Sequence, residues 1–233
     1  MSKEEFNYSG LDTLEALVEA VNYSNYQKDF ILKALKKIKT QKINILDFGA
    51  GIGTYSDMLK KEGYEIDCVE PDATQAGILE RKGYKVYRDV KDIKKQYDVI
   101  YSLNVFEHIE DDSKALSDLK RCINKSGVIL LYVPAFMLLF TQLDVNVEHF
   151  RRYRIKDMKQ LAQDNRLQLE SVKYCDPIGF FAALVYRVVG GSGNLNKKSV
   201  KFFDRFLFPI SVFIEPLTRK LFGKNILGVY SNK

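Results

Sequence analysis

The chain has 233 residues, of which 46% are hydrophobic and 28% charged, an ordinary composition for one α/β domain with additions. The net charge of +6 is uneven, because residues 1–150 hold 20 Lys and Arg against 24 Asp and Glu, whereas residues 151–233 hold 16 against 6. Three cysteines without a C-x-x-C pair disfavour a disulfide framework, and no apolar run reaches the ~18 residues of a membrane span.

The N-terminal 40 residues are predicted to form a helical cap that packs on a sheet. Apolar residues at spacings of three and four between residues 11 and 38 indicate two helices, or one helix that breaks near residues 22–25.

A strand, a glycine turn and a helix follow in residues 43–61. Asp47 ends a short apolar run, and Gly49, Gly51 and Gly53 stand at alternate positions after it. Residues without Cβ allow positive φ and let a ligand lie directly on the backbone, as in nucleotide-binding βαβ units. A dinucleotide fingerprint would need glycine where Thr54 stands, so a nicotinamide cofactor is disfavoured.

Further strands are predicted at residues 65–70, 84–88, 97–104 and 128–134, with residues 124–127 leading into the last of these. Glu70 comes 21 residues after Gly49, at a strand exit marked by Pro71, where an acid can accept both ribose hydroxyls. Asp89 follows the next strand and is followed by Val90; it is either a ligand contact or a helix N-cap.

The D-x-G-x-G-x-G pattern from Asp47 and the string D-V-I-Y-S-L-N-V-F-E-H-I at residues 98–109 resemble class I S-adenosylmethionine (SAM)-dependent methyltransferases. The resemblance implies an α/β, Rossmann-like seven-stranded sheet with helices on both faces, whose last strands are residues 167–174 and 225–231. It implies a SAM-binding core over residues 41–176. It also implies cofactor contacts by Asp47, Gly49, Ala50, Gly51, Gly53, Glu70, Pro71, Asp89, Val90, Leu103 and Asn104.

Charged and aromatic residues crowd the segment after the fifth strand, at the edge where open α/β sheets bind ligands. His108 and His149 are the only histidines and suit a general base near neutral pH. The other reading is a solvated loop that pairs with itself, with both histidines in structural hydrogen bonds. No metal site is expected. The predicted substrate contacts are Tyr23, Asp144, Arg151, Arg152 and Tyr153.

An amphipathic helical insertion is predicted at residues 177–224, before the last strand at 225–233. Apolar residues recur at helical spacing with basic residues beside them, and Pro209 and Pro216 are expected to bend or break the helix. Such a segment suits a membrane interface, a cap over the domain or a dimer face, so the oligomeric state stays open. The first residues lack an apolar signal-peptide core, so we expect a cytoplasmic location, with peripheral contact at an anionic membrane as one option.

The expected function is methyl transfer from SAM to an oxygen or nitrogen atom of a small or lipid-linked acceptor, with an anionic glycan as one option. A narrower resemblance implies this acceptor class: the F-E-H-I-E-D-D and H-F-R-R-Y strings are similar to a prokaryotic group that accompanies glycosyltransferases acting on lipid-linked sugars. A nucleic-acid methyltransferase would fit the basic C-terminal third, but Val133-Pro134-Ala135-Phe136 replaces the D-P-P-Y signature. A SAM-binding or membrane-associated module without catalysis is the remaining alternative.

Overall fold

A computed structural model describes residues 19–40, 42–190 and 197–232. Within these ranges the strands form one seven-stranded sheet in the order β3-β2-β1-β4-β5-β7-β6. The strands are β1 (Ile45–Phe48), β2 (Ile66–Val69), β3 (Lys85–Tyr87), β4 (Tyr97–Leu103), β5 (Ile123–Pro134), β6 (Leu167–Cys175) and β7 (Asn225–Asn232).

The sheet reverses its strand order between β1 and β4. Strands β1 to β5 are parallel, and β7 runs antiparallel between β5 and β6. From β1 the chain builds outward through β2 and β3, then returns to place β4 on the other side of β1. The carboxyl ends of β1 and β4 therefore flank the crevice in which open α/β sheets bind ligands.

Helices cover both faces of the sheet. One buried cluster joins α1 (Val21–Leu35), α2 (Thr54–Lys61) and α3 (Ala73–Arg81) to the sheet, and a second joins α4 (Asp112–Arg121) and α6 (Ile155–Asp164) to it. The remaining helices are α5 (Gln142–Asn146), α7 (Pro177–Val189), α8 (Lys197–Phe202) and α9 (Phe208–Thr218). The predicted seven-stranded Rossmann-like fold is confirmed.

Two local predictions were wrong. Residues 22–25 do not break a helix but lie in the first turns of a continuous α1. Residues 124–127 belong to β5, where they bulge between the pairs Tyr97–Ile123 and Val99–Val128. The two prolines differ: Pro209 stands in the first turn of α9, where a π-helical stretch over Phe203–Leu207 has interrupted the regular α-helix, whereas Pro216 lies inside α9 without ending it.

The N-terminal helix and the C-terminal insertion are joined by a side chain that caps the helix from far along the chain. The Asp204 carboxylate accepts hydrogen bonds from the backbone N–H groups of Asn22 (2.9 Å) and Tyr23 (2.8 Å) at the start of α1. These donors have no partner within their own helix, so Asp204 supplies the cap that α1 itself lacks. Residues 1–18 of the predicted cap lie outside the described residues.

Candidate active site

The glycine loop after β1 turns tightly and leaves one face open. Gly49, Gly51 and Gly53 all have positive φ, at 77°, 58° and 86°. A Cβ on Gly49 would meet the Val105 side chain at 2.4 Å, and one on Gly53 would meet Leu79 at 2.7 Å. On Gly51 it would meet only the end of the Gln75 side chain, at 3.3 Å. Gly49 and Gly53 are thus packed against neighbours, whereas Gly51 presents bare backbone.

Glu70 stands beside this open backbone at the end of β2. Its carboxylate accepts hydrogen bonds from the N–H groups of Gly51 (2.8 Å) and Asp72 (2.9 Å). Burial raises the pKa of Glu70, and the two backbone donors oppose that rise. The loop therefore holds the carboxylate in one orientation next to the glycines.

Asp47 lies beneath the loop rather than on its open side. It is buried, and its Oδ2 atom accepts hydrogen bonds from the hydroxyls of Ser56 and Tyr101, both at 2.8 Å. Burial raises the pKa of Asp47 to about 7, against the lowering effect of these two donors. The sequence pattern does not predict this hydroxyl pair, because Tyr101 is 54 residues from Asp47 and Ser56 stands after the glycine pattern.

The remaining predicted cofactor residues lie at the neighbouring strand ends. Asn104, just after β4, has φ of +55° and donates its backbone N–H to the Tyr132 carbonyl at 2.7 Å. Asp89 is half-exposed and caps a short 3-10 turn through the Lys91 N–H, as its N-cap reading predicts. The other members of this group at the carboxyl edge are Ala50, Pro71, Val90 and Leu103.

A second group of predicted residues comes together where residues 141–153 fold onto residues 106–112. The Phe150 N–H donates to the Glu107 carbonyl at 2.8 Å. Arg151 pairs with Asp112 at 3.1 Å, and the Tyr153 hydroxyl donates to Asp112 at 2.8 Å. Val105, the neighbour of Gly49, precedes this segment directly, so the second group is continuous with the glycine loop.

Asp144 organises the second group. The Arg152 guanidinium binds its carboxylate through two nitrogens, Nε at 2.7 Å and Nη2 at 3.0 Å, and His149 Nδ1 lies 2.8 Å from Oδ1. Although burial acts to raise the pKa of Asp144, the hydrogen bonds from His149 and Arg152 hold it well below the ordinary value. The side chains of Asp144 and Arg152 are both buried, and they form an ion pair with each other. The same Asp144 carboxylate orients His149.

Glu107, His108 and His149 meet beside this pair. The rings of His108 and His149 pack edge to face with centroids 4.5 Å apart, and His149 Nε2 lies 3.9 Å from Glu107 Oε1. Burial raises the pKa of Glu107 to about 8, and burial together with the nearby His149 lowers the pKa of His108 to about 4. Glu107 belongs to the F-E-H-I-E-D-D string, but the sequence alone predicts no role for it; its position next to one of only two histidines in the sequence is the available signal.

Two predicted substrate contacts are packed among other side chains of the protein. Tyr23 packs on α1 against Tyr132 and Phe208, with ring centroids 6.2 Å and 5.3 Å away. Tyr153 is buried in the core with its hydroxyl bonded as described above.

Residues 20–172 match a family model described as a methyltransferase domain, which spans well over half of the chain. The chain belongs to this methyltransferase-domain family. The ribosomal protein L11 methyltransferase of Thermosipho melanesiensis is 33% identical over 126 residues, covering 51% of this chain and 48% of the relative. A ubiquinone biosynthesis O-methyltransferase of Rickettsia bellii is 27% identical over 100 residues, covering 38% of this chain and 41% of the relative.

Solved structures share the architecture. A SAM-dependent methyltransferase of Thermotoga maritima, described as a possible histamine N-methyltransferase, superimposes with a TM-score of 0.60 at 12% identity, covering 95% of this chain and 94% of that one. At this identity the similarity concerns the fold. The chain spans about half the length of the curated methyltransferases that it matches, so their particular activities are not assigned to this chain.

Proposed function

We propose that this protein is a SAM-dependent methyltransferase whose cofactor lies over the glycine loop. The open backbone at Gly51, beside the oriented carboxylate of Glu70, is the observation that carries the proposal. A ligand can approach Gly51 on its Cα side because an added Cβ there would meet no atom within 4 Å except the end of the Gln75 side chain, while the Gly51 N–H is held by the Glu70 carboxylate. When bound, SAM supplies a methyl group on a positively charged sulfur.

The residues around the loop fit the parts of that cofactor. Glu70 can accept hydrogen bonds from both ribose hydroxyls without rotating, since the backbone of the loop fixes its position. Asp47 places a carboxyl group under the loop, and a cationic ligand favours the ionised form of a nearby acid. We further propose that Asp89 and Val90 contact the adenine and that Leu103 and Asn104 border the methionine part.

Calorimetry tests the cofactor directly. The protein is titrated with SAM, with its demethylated product S-adenosylhomocysteine and with NAD. Binding of the first two compounds and not of the third supports the proposal. No heat is expected with NAD, because the dinucleotide fingerprint needs a glycine at the position of Thr54. Heat with NAD alone would refute the proposal.

For the acceptor, we propose an oxygen or nitrogen atom of a small or lipid-linked molecule. The cluster around His149 lies beyond the glycine loop, and a Rickettsia relative is named as an O-methyltransferase. Extracts of lipid, glycan and RNA incubated with methyl-labelled SAM test this class. Label in the lipid or glycan fraction supports it, whereas label in RNA would favour the nucleic-acid alternative that the basic C-terminal third permits.

A lipid-linked acceptor would agree with the surface of α7 and α9. These helices pack together, with the Ile178 N–H donating to the Ser211 hydroxyl at 2.9 Å, yet their outer side chains remain open. Phe213 and Leu217 are 84% and 83% exposed, and Val188 is 79% exposed. Within the described ranges no helix is both long and apolar enough to cross a bilayer. Exposed apolar patches of this kind mark interaction sites, and basic flanks favour an anionic lipid surface.

Vesicle flotation tests this surface with a charge-matched control. Replacing Lys197, Lys198 and Lys201 with Gln is expected to reduce flotation with anionic vesicles, because each basic residue near such a surface contributes about 1 kcal/mol. The control replaces three exposed lysines at the end of α1 and should float like the wild type. Equal flotation of both triple variants would refute a specific interface. The control lysines are Lys36, Lys37 and Lys39.

A further inference from the structure

Three side chains that the proposed cofactor does not use converge beside the glycine loop. Glu107, His108 and His149 each place one nitrogen or oxygen atom so that all three atoms lie within 4.8 Å of one another. Metal ligands stand ~2.0–2.2 Å from an ion such as zinc, so atoms up to about 4 Å apart can share one ion. A small rotation of an imidazole ring closes the remaining gap.

The Glu107 carboxylate is the second and independent observation. Its side chain is 1% exposed, and neither carboxylate oxygen has a hydrogen-bond partner among the residues that the structure describes. A buried polar group without a partner is costly, and a buried carboxylate is normally paired or bound to a metal. The Arg152 guanidinium does not meet this need, because its two short bonds go to Asp144.

Each histidine has a hydrogen bond to a group outside the three candidate ligands, as metal-binding histidines usually do. Asp144 bonds His149 at Nδ1, which leaves Nε2 directed toward Glu107. His108 has a hydrogen bond with the backbone of Val147. A carboxylate or carbonyl on the distal nitrogen fixes the tautomer and the ring orientation of a metal-binding histidine.

We propose that Glu107, His108 and His149 bind one divalent transition-metal ion. Two imidazoles and one carboxylate suit zinc, iron, cobalt or manganese better than magnesium or calcium, which prefer sites made of oxygen ligands alone. Three protein ligands leave further coordination positions for a small molecule. The sequence-based expectation of no metal is replaced by this proposal.

The position of the ion gives it a use that depends on the proposed methyl transfer. Val105 packs on Gly49 two residues before Glu107, so the ion would lie close to the cofactor loop. An acceptor hydroxyl bound to the ion loses its proton to solvent more readily. Its oxygen then bonds to the methyl carbon as the carbon–sulfur bond breaks, and sulfur keeps the electron pair.

Metal binding is measured without SAM, so that it is tested separately from the cofactor. Protein stripped with a chelator is titrated with Co²⁺, followed by its visible ligand-field absorption, and with Zn²⁺ and Mg²⁺ by calorimetry. We expect one ion per chain, a changed cobalt spectrum and weaker binding of Mg²⁺ than of Zn²⁺. No spectral change and no zinc heat would overturn the proposal even if SAM binds.

The variants separate the ligands from their surroundings. Glu107→Gln and His149→Ala should each weaken zinc binding at least tenfold, and Asp144→Asn should weaken it by about 10- to 100-fold by releasing His149. Glu148→Gln, one residue from His149 and exposed, is the matched control and should bind like the wild type. Circular dichroism confirms folding of each variant. Wild-type affinity in folded Glu107→Gln and Asp144→Asn would refute the site.

Discussion

Replacing Gly51 with Ala tests the open groove, because it adds one methyl group where a cofactor would lie. The backbone there has φ of +58°, which costs an L-residue about 1–2 kcal/mol of folding stability. The new Cβ would meet only the end of the Gln75 side chain, at 3.3 Å, which can shift by a few tenths of an ångström. The free protein should therefore fold with a modest loss of stability.

The effect on the cofactor should be larger than a stability change explains. A methyl group forced into a filled site costs about 1–3 kcal/mol, which corresponds to roughly 5- to 150-fold weaker binding. The assay is calorimetric titration with S-adenosylhomocysteine, with urea unfolding of the same samples.

Gly63→Ala is the matched control. Gly63 has φ of +89° and no atom within 4 Å of its added Cβ, and it precedes β2 at the opposite edge of the sheet. It carries the same backbone cost without touching the groove. If Gly51→Ala binds S-adenosylhomocysteine as tightly as Gly63→Ala does, the cofactor does not lie on this loop.

Three further predictions concern side chains whose partners the structure identifies. Asp204→Ala should lower the free energy of unfolding by about 0.5–2 kcal/mol, because α1 loses its cap. The control is Asp29→Ala at an exposed position on the same helix, which should leave the free energy of unfolding unchanged. Equal losses in the two variants would contradict the capping role. Because burial raises the pKa of Asp47 to about 7, its contribution to stability is greatest below about pH 4 and is lost as the pH rises to about 7. In urea unfolding, the stability of the wild type minus that of Asp47→Asn should therefore fall between about pH 4 and about pH 7 and level off above it, and a constant difference would contradict this. Tyr153→Phe should cost about 1–3 kcal/mol of stability, because the hydroxyl donates to the Asp112 carboxylate. The KM for the acceptor should stay unchanged. A raised KM with unchanged stability would instead place this tyrosine at the substrate.

The sheet could be predicted from the sequence because each strand is marked by local signals. Apolar runs end at Asp47, at Glu70 and near Leu103, and each is followed by a turn or a helix start. The bulge at residues 124–127 was missed because Asn, Lys, Ser and Gly together are typical of a turn. Only the pairing of β5 with β4 on both sides of that polar stretch, at Ile123 and at Val128, extends the strand through it.

The residues of the candidate site could be named from the sequence, but the contacts between them could not. The spacing of the glycines predicts a backbone groove, yet it does not predict that Gly49 packs on Val105 while an added Cβ on Gly51 would meet only the end of Gln75. Arg152 was expected to bind an anionic substrate, whereas the structure pairs it with Asp144, eight residues earlier. Likewise, the Asp204 cap on α1 joins residues more than 180 positions apart, and no local pattern reports such a contact.

A crystal structure of the protein grown with S-adenosylhomocysteine tests the central proposal most directly. The account predicts the ligand over Gly51 with its ribose hydroxyls bonded to the Glu70 carboxylate and its sulfur directed toward the side of Glu107 and His149. Density for the ligand elsewhere, with the Gly51 groove empty, would contradict it.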